Sequence, residues 1–270
     1  MINKEFVRKI RTLVRKIRTK ENKNKDVIII DDSSKKSLAE FLKPFEKDFN
    51  FALQIITLKE NKGRSVSRNI GASMAKNEII LFLDSDIILS KNYLLLYSTL
   101  CQMFPNALLM SLKENVNTES EVCKLKNIKK GLNSPKQFND KRIKKYLGKG
   151  EMNTNKVDTE GLFEIMSDTD SLKLLGQGRV LNGYDLPSSV ISHNLCMRKK
   201  SFLSIGGFPS NFKGWGLEDT YLGACMISKG NFIIPVLGCG VYHINHKDRS
   251  PNKKFELERN IKLYNKLIIQ

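Results

Sequence analysis

The chain has 270 residues, 40% hydrophobic and 27% charged, with 46 Lys and Arg against 28 Asp and Glu for a formal net charge of +18. That is the composition of an ordinary soluble globular protein, long enough for one large α/β domain with a full core. No apolar run approaches the roughly 20 residues a membrane-spanning helix needs, and five scattered cysteines with no C-x-x-C pair exclude a disulfide framework or a cysteine-zinc site, so a cytoplasmic protein with free thiols is expected.

The first segment carries Phe6, Ile10, Leu13, Val14 and Ile17 at helical spacing with lysines and arginines opposite. Such a basic amphipathic helix first suits packing one face on a sheet, with peripheral contact with an anionic membrane surface as the second reading. Val27–Ile30 then forms a short continuous apolar run, the signature of a strand buried on both faces of a parallel sheet. Asp31-Asp32-Ser33-Ser34 stop it, with Ser34 as the expected N-cap of a helix over Lys35–Lys47. Leu53–Leu58 is a second strand. NKGRSVSRNIGASMAK follows as a loop entering a helix, with Gly63 at the turn. Ile79–Leu83 is a third strand ending in Asp84-Ser85-Asp86. A helix over Asn92–Met103 and a strand over Ala107–Leu112 come next.

Strand and helix alternate, so the expected architecture is a mostly parallel α/β sheet flanked by helices. Ligands of such sheets sit at the carboxyl ends of the strands. Asp31, Asp32, Asp84 and Asp86 all fall at those ends, so acids from two strands are expected to line one cleft. The expected organisation is a single domain over 1–270, with a nucleotide-sugar-binding half at 1–112 and an acceptor and catalytic half at 186–270. Between them, 113–185 is polar and lysine-rich and reads as a variable insertion. In the last part a helix over Leu217–Lys229 opens at Gly216 with Glu218 and Asp219 in its first turn, where carboxylates favour the helix dipole. A strand over Ile233–Leu237 and a helix over Phe255–Leu267 close the chain.

Two carboxylates one residue apart after a buried strand suit Mn²⁺ or Mg²⁺ bound together with a diphosphate. His243 and His246, in VYHINHKD, have a spacing that lets two imidazoles reach one metal from an irregular loop. Solvated loop histidines are the plain alternative. Trp215 is the only tryptophan and lies between Gly214 and Gly216. An indole in a glycine loop offers an apolar platform for a sugar ring, with Glu218 and Asp219 placed for hydroxyl groups. The alternative is a ring that plugs the core and acids that only cap the helix. The charge of +18 favours anionic partners, but no zinc-finger spacing or aromatic RNA-binding signature appears, so nucleic acid is not the expected partner.

VIIIDDSS, then N-x-G-x-S-x-S-R-N-x-G over Asn61–Gly71, then IILFLDSD, in that order, resemble the nucleotide-sugar half of family 2 glycosyltransferases with the GT-A fold. SIGGFPSNFKGWGLEDTYL followed by YHINH resembles the C-terminal catalytic segment of the galactosyltransferase and chondroitin-polymerase types. The resemblance implies a metal-dependent transfer of a hexose or N-acetylhexosamine from a UDP-sugar to a glycan, a lipid-linked saccharide or a peptide. It implies that Asp31, Asp32, Arg68, Asp84, Ser85 and Asp86 hold the donor, Asp32 through the uracil ring and Arg68 through the nucleotide or its phosphates. Asp86, His243 and His246 would hold the metal. Trp215, Gly214, Gly216, His193 and Asn194 would face the acceptor and its sugar. Asp219 matches the general base of inverting members, with Glu218 holding hydroxyls. Retaining relatives have Asn at that position, so an acid favours inversion. One departure stands out: the family's usual first strand, which lines the uracil pocket, is not matched. A second chain supplying that strand, a rearranged sheet, a sequence that begins downstream of the true start, or a degenerate donor site are the readings it opens, and a non-catalytic partner subunit of an active transferase is the alternative function.

Overall fold

The computed structural model describes residues 26–44, 51–135, 143–145, 164–166, 186–246, 250 and 252–268. The expected basic helix before residue 26 lies outside them. The first strand β1 (Asp26–Asp31) pairs in parallel with β2 (Ala52–Thr57). The helix between them, α1 (Leu38–Leu42), starts later than expected: Ser37, not Ser34, caps it by accepting from the Glu40 N–H at 3.2 Å, and the expected end at Lys47 lies outside the described residues. Ser34 instead donates its own N–H to Asp31 Oδ1 in the turn after β1.

Helix α2 (Arg64–Met74) leads into β3 (Ile79–Leu83). The short strand β4 (Ile87–Leu89) and helix α3 (Tyr93–Met103) follow, then β5 (Ala107–Val116) and the short helix α4 (Leu125–Lys130). Within the expected insertion, β6 (Ile143–Lys145) and β7 (Glu164–Met166) form an antiparallel ribbon. After it come α5 (Leu186–Ser189), β8 (Asn194–Arg198), α6 (Lys199–Ser204), α7 (Glu218–Ser228), β9 (Phe232–Ile244) and α8 (Lys253–Ile268).

The central sheet has the order β3–β8–β5–β9–β4. Only β5 and β9 run parallel; β3–β8, β5–β8 and β4–β9 are antiparallel. The expectation of a mostly parallel sheet is therefore corrected to a mixed one. A continuous apolar run reports burial on both faces, and direction is set by the connections. Here Ala107, Leu109, Cys196 and Val241 bury one face under Tyr93, Tyr97 and Cys101 of α3. Leu108, Met110, Leu195 and Met197 bury the other under Ala72, Phe202, Leu222 and Met226 of α2, α6 and α7. Cys101 and Cys196 bring unbonded thiols to 3.5 Å in this core.

Among the described residues no ladder joins the β1–β2 pair to the five-stranded sheet. The pair is tied to it through α2, whose Gly71 lies against Ile30, and through Asn77 Nδ2 donating to Asp26 Oδ2 at 3.4 Å. Strand β9 runs further than the expected Ile233–Leu237. Its register on β5 jumps from Ser111 opposite Val236 to Lys113 opposite Val241, a bulge that carries the strand on to His243.

Candidate active site

Asp84, Ser85 and Asp86 make a tight turn between β3 and β4, closed by the Ile87 N–H donating to the Asp84 carbonyl at 3.2 Å. Two neighbours fix it. The Asp84 N–H donates to the His193 carbonyl at 3.1 Å, and the Ile244 N–H donates to the Asp86 carbonyl at 2.9 Å. The turn thus delivers Asp86 to the end of β9. Asp86 Oδ2 lies 3.1 Å from His246 Nε2, and Asp86 Oδ1 lies 3.8 Å from His243 Nε2. One ligand atom from each residue falls within 4.8 Å of the others. Asp86 Oδ1 and His243 Nδ1 are buried with no hydrogen bond among the described residues. Burial pushes the His243 imidazole below its ordinary range, Lys113 adds to this, and Asp86 opposes it. A neutral imidazole is the form that ligates metals. One carboxylate and two imidazoles make a donor set that fits a divalent cation with open positions. His243 is the penultimate residue of β9 rather than part of a loop, and only His246 lies beyond the strand.

The second cluster centres on Arg68. Its guanidinium lies 2.9 Å from Asp84 Oδ1 and 3.6 Å from Glu218 Oε1, and sits over the Phe208 ring at 5.2 Å. Arg64, one helical turn earlier, reaches Glu218 Oε1 at 3.4 Å. Burial works against the charge of Arg68, but Asp84 and then Glu218 and Asp219 outweigh it and hold its pKa up. Asp219 begins α7 beside Glu218. Its carboxylate accepts from the Ser192 N–H at 3.3 Å and the Thr220 N–H at 3.0 Å. The residue keeps a partly open face while its carboxyl group is enclosed by protein. That enclosure, with the charge of Glu218, raises its pKa to about 7, against the pull of Arg68 and the two backbone donors. A carboxyl group poised there can accept a proton near neutral pH.

Around the first strands, the Asp32 carboxylate accepts from the Lys62 N–H at 2.7 Å and the Gly63 N–H at 2.9 Å, shaping the loop into α2. Asp31 is buried and caps the turn after β1.

Two acceptor-side expectations are corrected. Asn194 is fully buried between β8 and β5: its Nδ2 donates to Ser111 Oγ at 2.7 Å, and its Oδ1 accepts from the Ser111 N–H. It locks the sheet and presents nothing to an acceptor. Asn194→Ala is expected to cost about 1–3 kcal/mol in a denaturant titration, because Ser111 loses buried partners. His193 is also buried, its ring edge-on to His243 at 6.5 Å, so it packs behind the histidine pair. Gly214 and Gly216 stand where added Cβ atoms would fall 2.4 Å from Glu256 Cδ and 2.9 Å from Leu257 Cδ1. Their smallness is required by the close approach of α8. The face of Trp215 carries the Lys253 ammonium at 4.4 Å from the ring centre. Arg64, Glu256 and Asn260 were not singled out from the sequence. Each pair, Arg64 with Arg68 and Glu256 with Asn260, has i,i+4 spacing on one helix, and that spacing was the available signal.

Residues 3–97 match the profile described as "Glycosyl transferase family 2", and residues 181–247 match "N-terminal domain of galactosyltransferase". The chain is 25% identical to chondroitin synthase of Escherichia coli over 238 residues, 87% of this chain and 32% of that one. It is 23% identical to chondroitin synthase of Pasteurella multocida over 257 residues, 92% of this chain and 24% of that one. The chain thus spans a third or less of the length of these two relatives. Among solved structures it resembles mannosyltransferase PcManGT from Pyrobaculum calidifontis in complex with GDP-Man and Mn²⁺ (TM-score 0.59, 11% identity, 99% of this chain and 61% of that one). It also resembles S. aureus TarS 1-349 in complex with UDP-GlcNAc (TM-score 0.57, 14% identity, 97% and 63%). A third is GalNAc-T7 with UDP, GalNAc and Mn²⁺ (TM-score 0.56, 16% identity, 84% and 39%). The shared architecture is GT-A.

Proposed function

We propose that this chain, which has the GT-A fold, is a family 2 glycosyltransferase that moves a hexose or N-acetylhexosamine from a UDP-sugar, with inversion, in a metal-dependent reaction. The acceptor class is a glycan, a lipid-linked saccharide or a peptide. The observation that carries this reading is Asp219: a carboxylate poised at about 7, linked through Glu218 and Arg68 to the Asp84 turn that also presents Asp86 to two histidines.

Inverting transfer is an in-line displacement at the anomeric carbon. It asks for a base on the acceptor side and for stabilisation of the departing diphosphate. Asp219 Oδ takes the acceptor hydroxyl proton. Glu218, paired with Arg64 and Arg68, orients hydroxyls at the same helix start. Asp86, His243 and His246 would hold the cation, and two imidazoles in the set favour Mn²⁺ over the strictly oxygen-liganded Mg²⁺. A bound cation supplies Lewis-acid charge against the diphosphate and offsets the repulsion from Asp84 and Asp86. Support for a nucleotide-sugar donor comes from structural neighbours that were crystallised with UDP, UDP-GlcNAc or GDP-Man.

The test is a hydrolysis screen of nucleotide sugars with and without Mn²⁺, which reports donor choice before the acceptor is known. Mn²⁺-stimulated hydrolysis of one UDP-sugar is expected. His246→Ala is expected to weaken Mn²⁺ binding by about 10–100-fold in calorimetry, the range seen when a metal site loses supporting contacts, while unfolding in the absence of metal changes little. Mn²⁺ affinity equal to that of the parent would remove His246 from the site.

A second reading is a non-catalytic partner of an active transferase. It is favoured by the separation of the β1–β2 pair from the main sheet among the described residues. UDP binding by the full chain with Mn²⁺ distinguishes the two: a partner subunit without donor affinity binds none.

A further inference from the structure

We propose that Asn260, assisted by Glu256, is a positioning residue of the active site: helix α8 holds the loop at 213–217 in the one conformation that places Trp215 and Asp219. The proposal rests on the glycosyl-transfer reading only for its kinetic arm.

The loop is strained. Gly214, Gly216 and Leu217 all have positive φ, at 70°, 104° and 69°. Leu217, which immediately precedes Glu218 and Asp219, has a side chain that disfavours this region. Such a backbone persists only where its surroundings over-determine it, and α8 supplies those surroundings. Asn260 is 1% exposed, and its Nδ2 donates toward three carbonyls of the one loop: Lys213 at 3.1 Å, Trp215 at 3.1 Å and Gly216 at 2.9 Å. Glu256, one turn earlier on the same face, accepts from the Trp215 N–H at 2.9 Å. Arg259 adds a bond to the Lys213 carbonyl. The loop can approach α8 this closely because positions 214 and 216 lack Cβ atoms. Tyr264 of α8 meets Tyr221 of α7 with ring centres 6.4 Å apart, so the helix grips both the loop and the helix that the loop starts.

Asn260 thus sits some forty residues downstream of Asp219 and touches none of the charged cluster around Arg68. It acts through backbone carbonyls, so its loss relaxes Leu217 and with it the start of α7. Misplacing a reacting group by about 1 Å can cost on the order of 100-fold in rate.

Trp215 is the sole tryptophan, so its emission reads the loop directly, without substrate. Asn260→Ala and Glu256→Ala are compared with the parent chain by Trp emission and acrylamide quenching, circular dichroism, Mn²⁺ calorimetry and Mn²⁺-dependent hydrolysis of the donor found in the screen. For folded Asn260→Ala the expectation is emission shifted to longer wavelength, stronger quenching and kcat lower by about 10–100-fold. Donor KM is expected to stay within about 3-fold and Mn²⁺ affinity to stay unchanged, a pattern that general loosening of the fold does not produce. Glu256→Ala shifts emission in the same direction with a smaller loss of kcat. Should Asn260→Ala not fold, Glu256→Ala carries the test alone. Parent-like emission and kcat in a folded variant overturn the proposal, as does an equal fall in Mn²⁺ affinity and kcat. If the parent hydrolyses no nucleotide sugar, the glycosyl-transfer reading fails, and the emission and quenching data still decide whether α8 sets the loop.

Discussion

Asp219→Asn is expected to lower kcat by about 10²–10⁴-fold, the usual contribution of a positioned base, and to leave donor and Mn²⁺ affinity near the parent's. The parent's activity should rise with pH along a one-proton limb centred at about 7, because Asp219 must be ionised to accept the acceptor proton and its enclosure beside Glu218 delays ionisation to that value. The residual activity of the variant should lack this limb. Stability moves in the opposite sense. Between the ordinary Asp value of 3.8 and about 7 the folded chain holds a proton that the unfolded chain has released. Stability therefore falls as pH rises through that window. Asn cannot ionise, so the Tm of the variant relative to the parent should climb between pH 4 and pH 8. A difference in Tm that does not vary with pH would show that Asp219 ionises in its ordinary range. Full turnover by the variant would remove it as the base.

Arg68→Met should be the most destabilising of the single changes considered. The guanidinium side chain is 13% exposed and compensates Glu218, at 4%, as well as Asp84, at 41%. Removing one partner of a buried ion pair costs about 3–5 kcal/mol because the other charge is left behind. The lower end is expected here, since water already screens Asp84. The change should also move the pH limb upward, because Arg68 is the cation that draws the Asp219 pKa down. Chemical denaturation and a pH–rate profile of the same variant check both signs. Arg68→Lys should recover only part of the loss, since an ammonium cannot reach two carboxylates with a planar fork. If Arg68 served the donor phosphates alone, the variant would raise donor KM with stability and the pH limb unmoved.

Several elements that carry this site are legible in the sequence, because their signals are local. An apolar run followed by carboxylates marks a strand end: β3 ends as expected at Leu83, and β1 runs one residue past the expected Ile30, to Asp31. Acids just after a glycine mark a helix start, and α7 begins at Glu218. The histidine spacing proposed a pair for one metal, and Asp86, His243 and His246 do converge.

What only the tertiary structure decided are relations between residues far apart in sequence. Strand direction in the central sheet followed from how β8 and β4 enter it, which apolar patterning does not encode. Asn194 resembled a surface polar residue in an acceptor segment, yet pairing with Ser111 across 83 positions buried it completely. The sequence offers Arg68 as a donor ligand, and only the fold shows Asp84 and Glu218 on either side of it. The sequence offers the GWG loop as a sugar platform, and only the fold shows α8 holding it, with Asn260 reaching the Trp215 carbonyl from 45 positions away. Composition and spacing name the groups able to do chemistry. Which of them meet, and which are used up in holding the others, depends on long-range packing, where one buried amide can reach three carbonyls of one turn and hold it in a strained conformation.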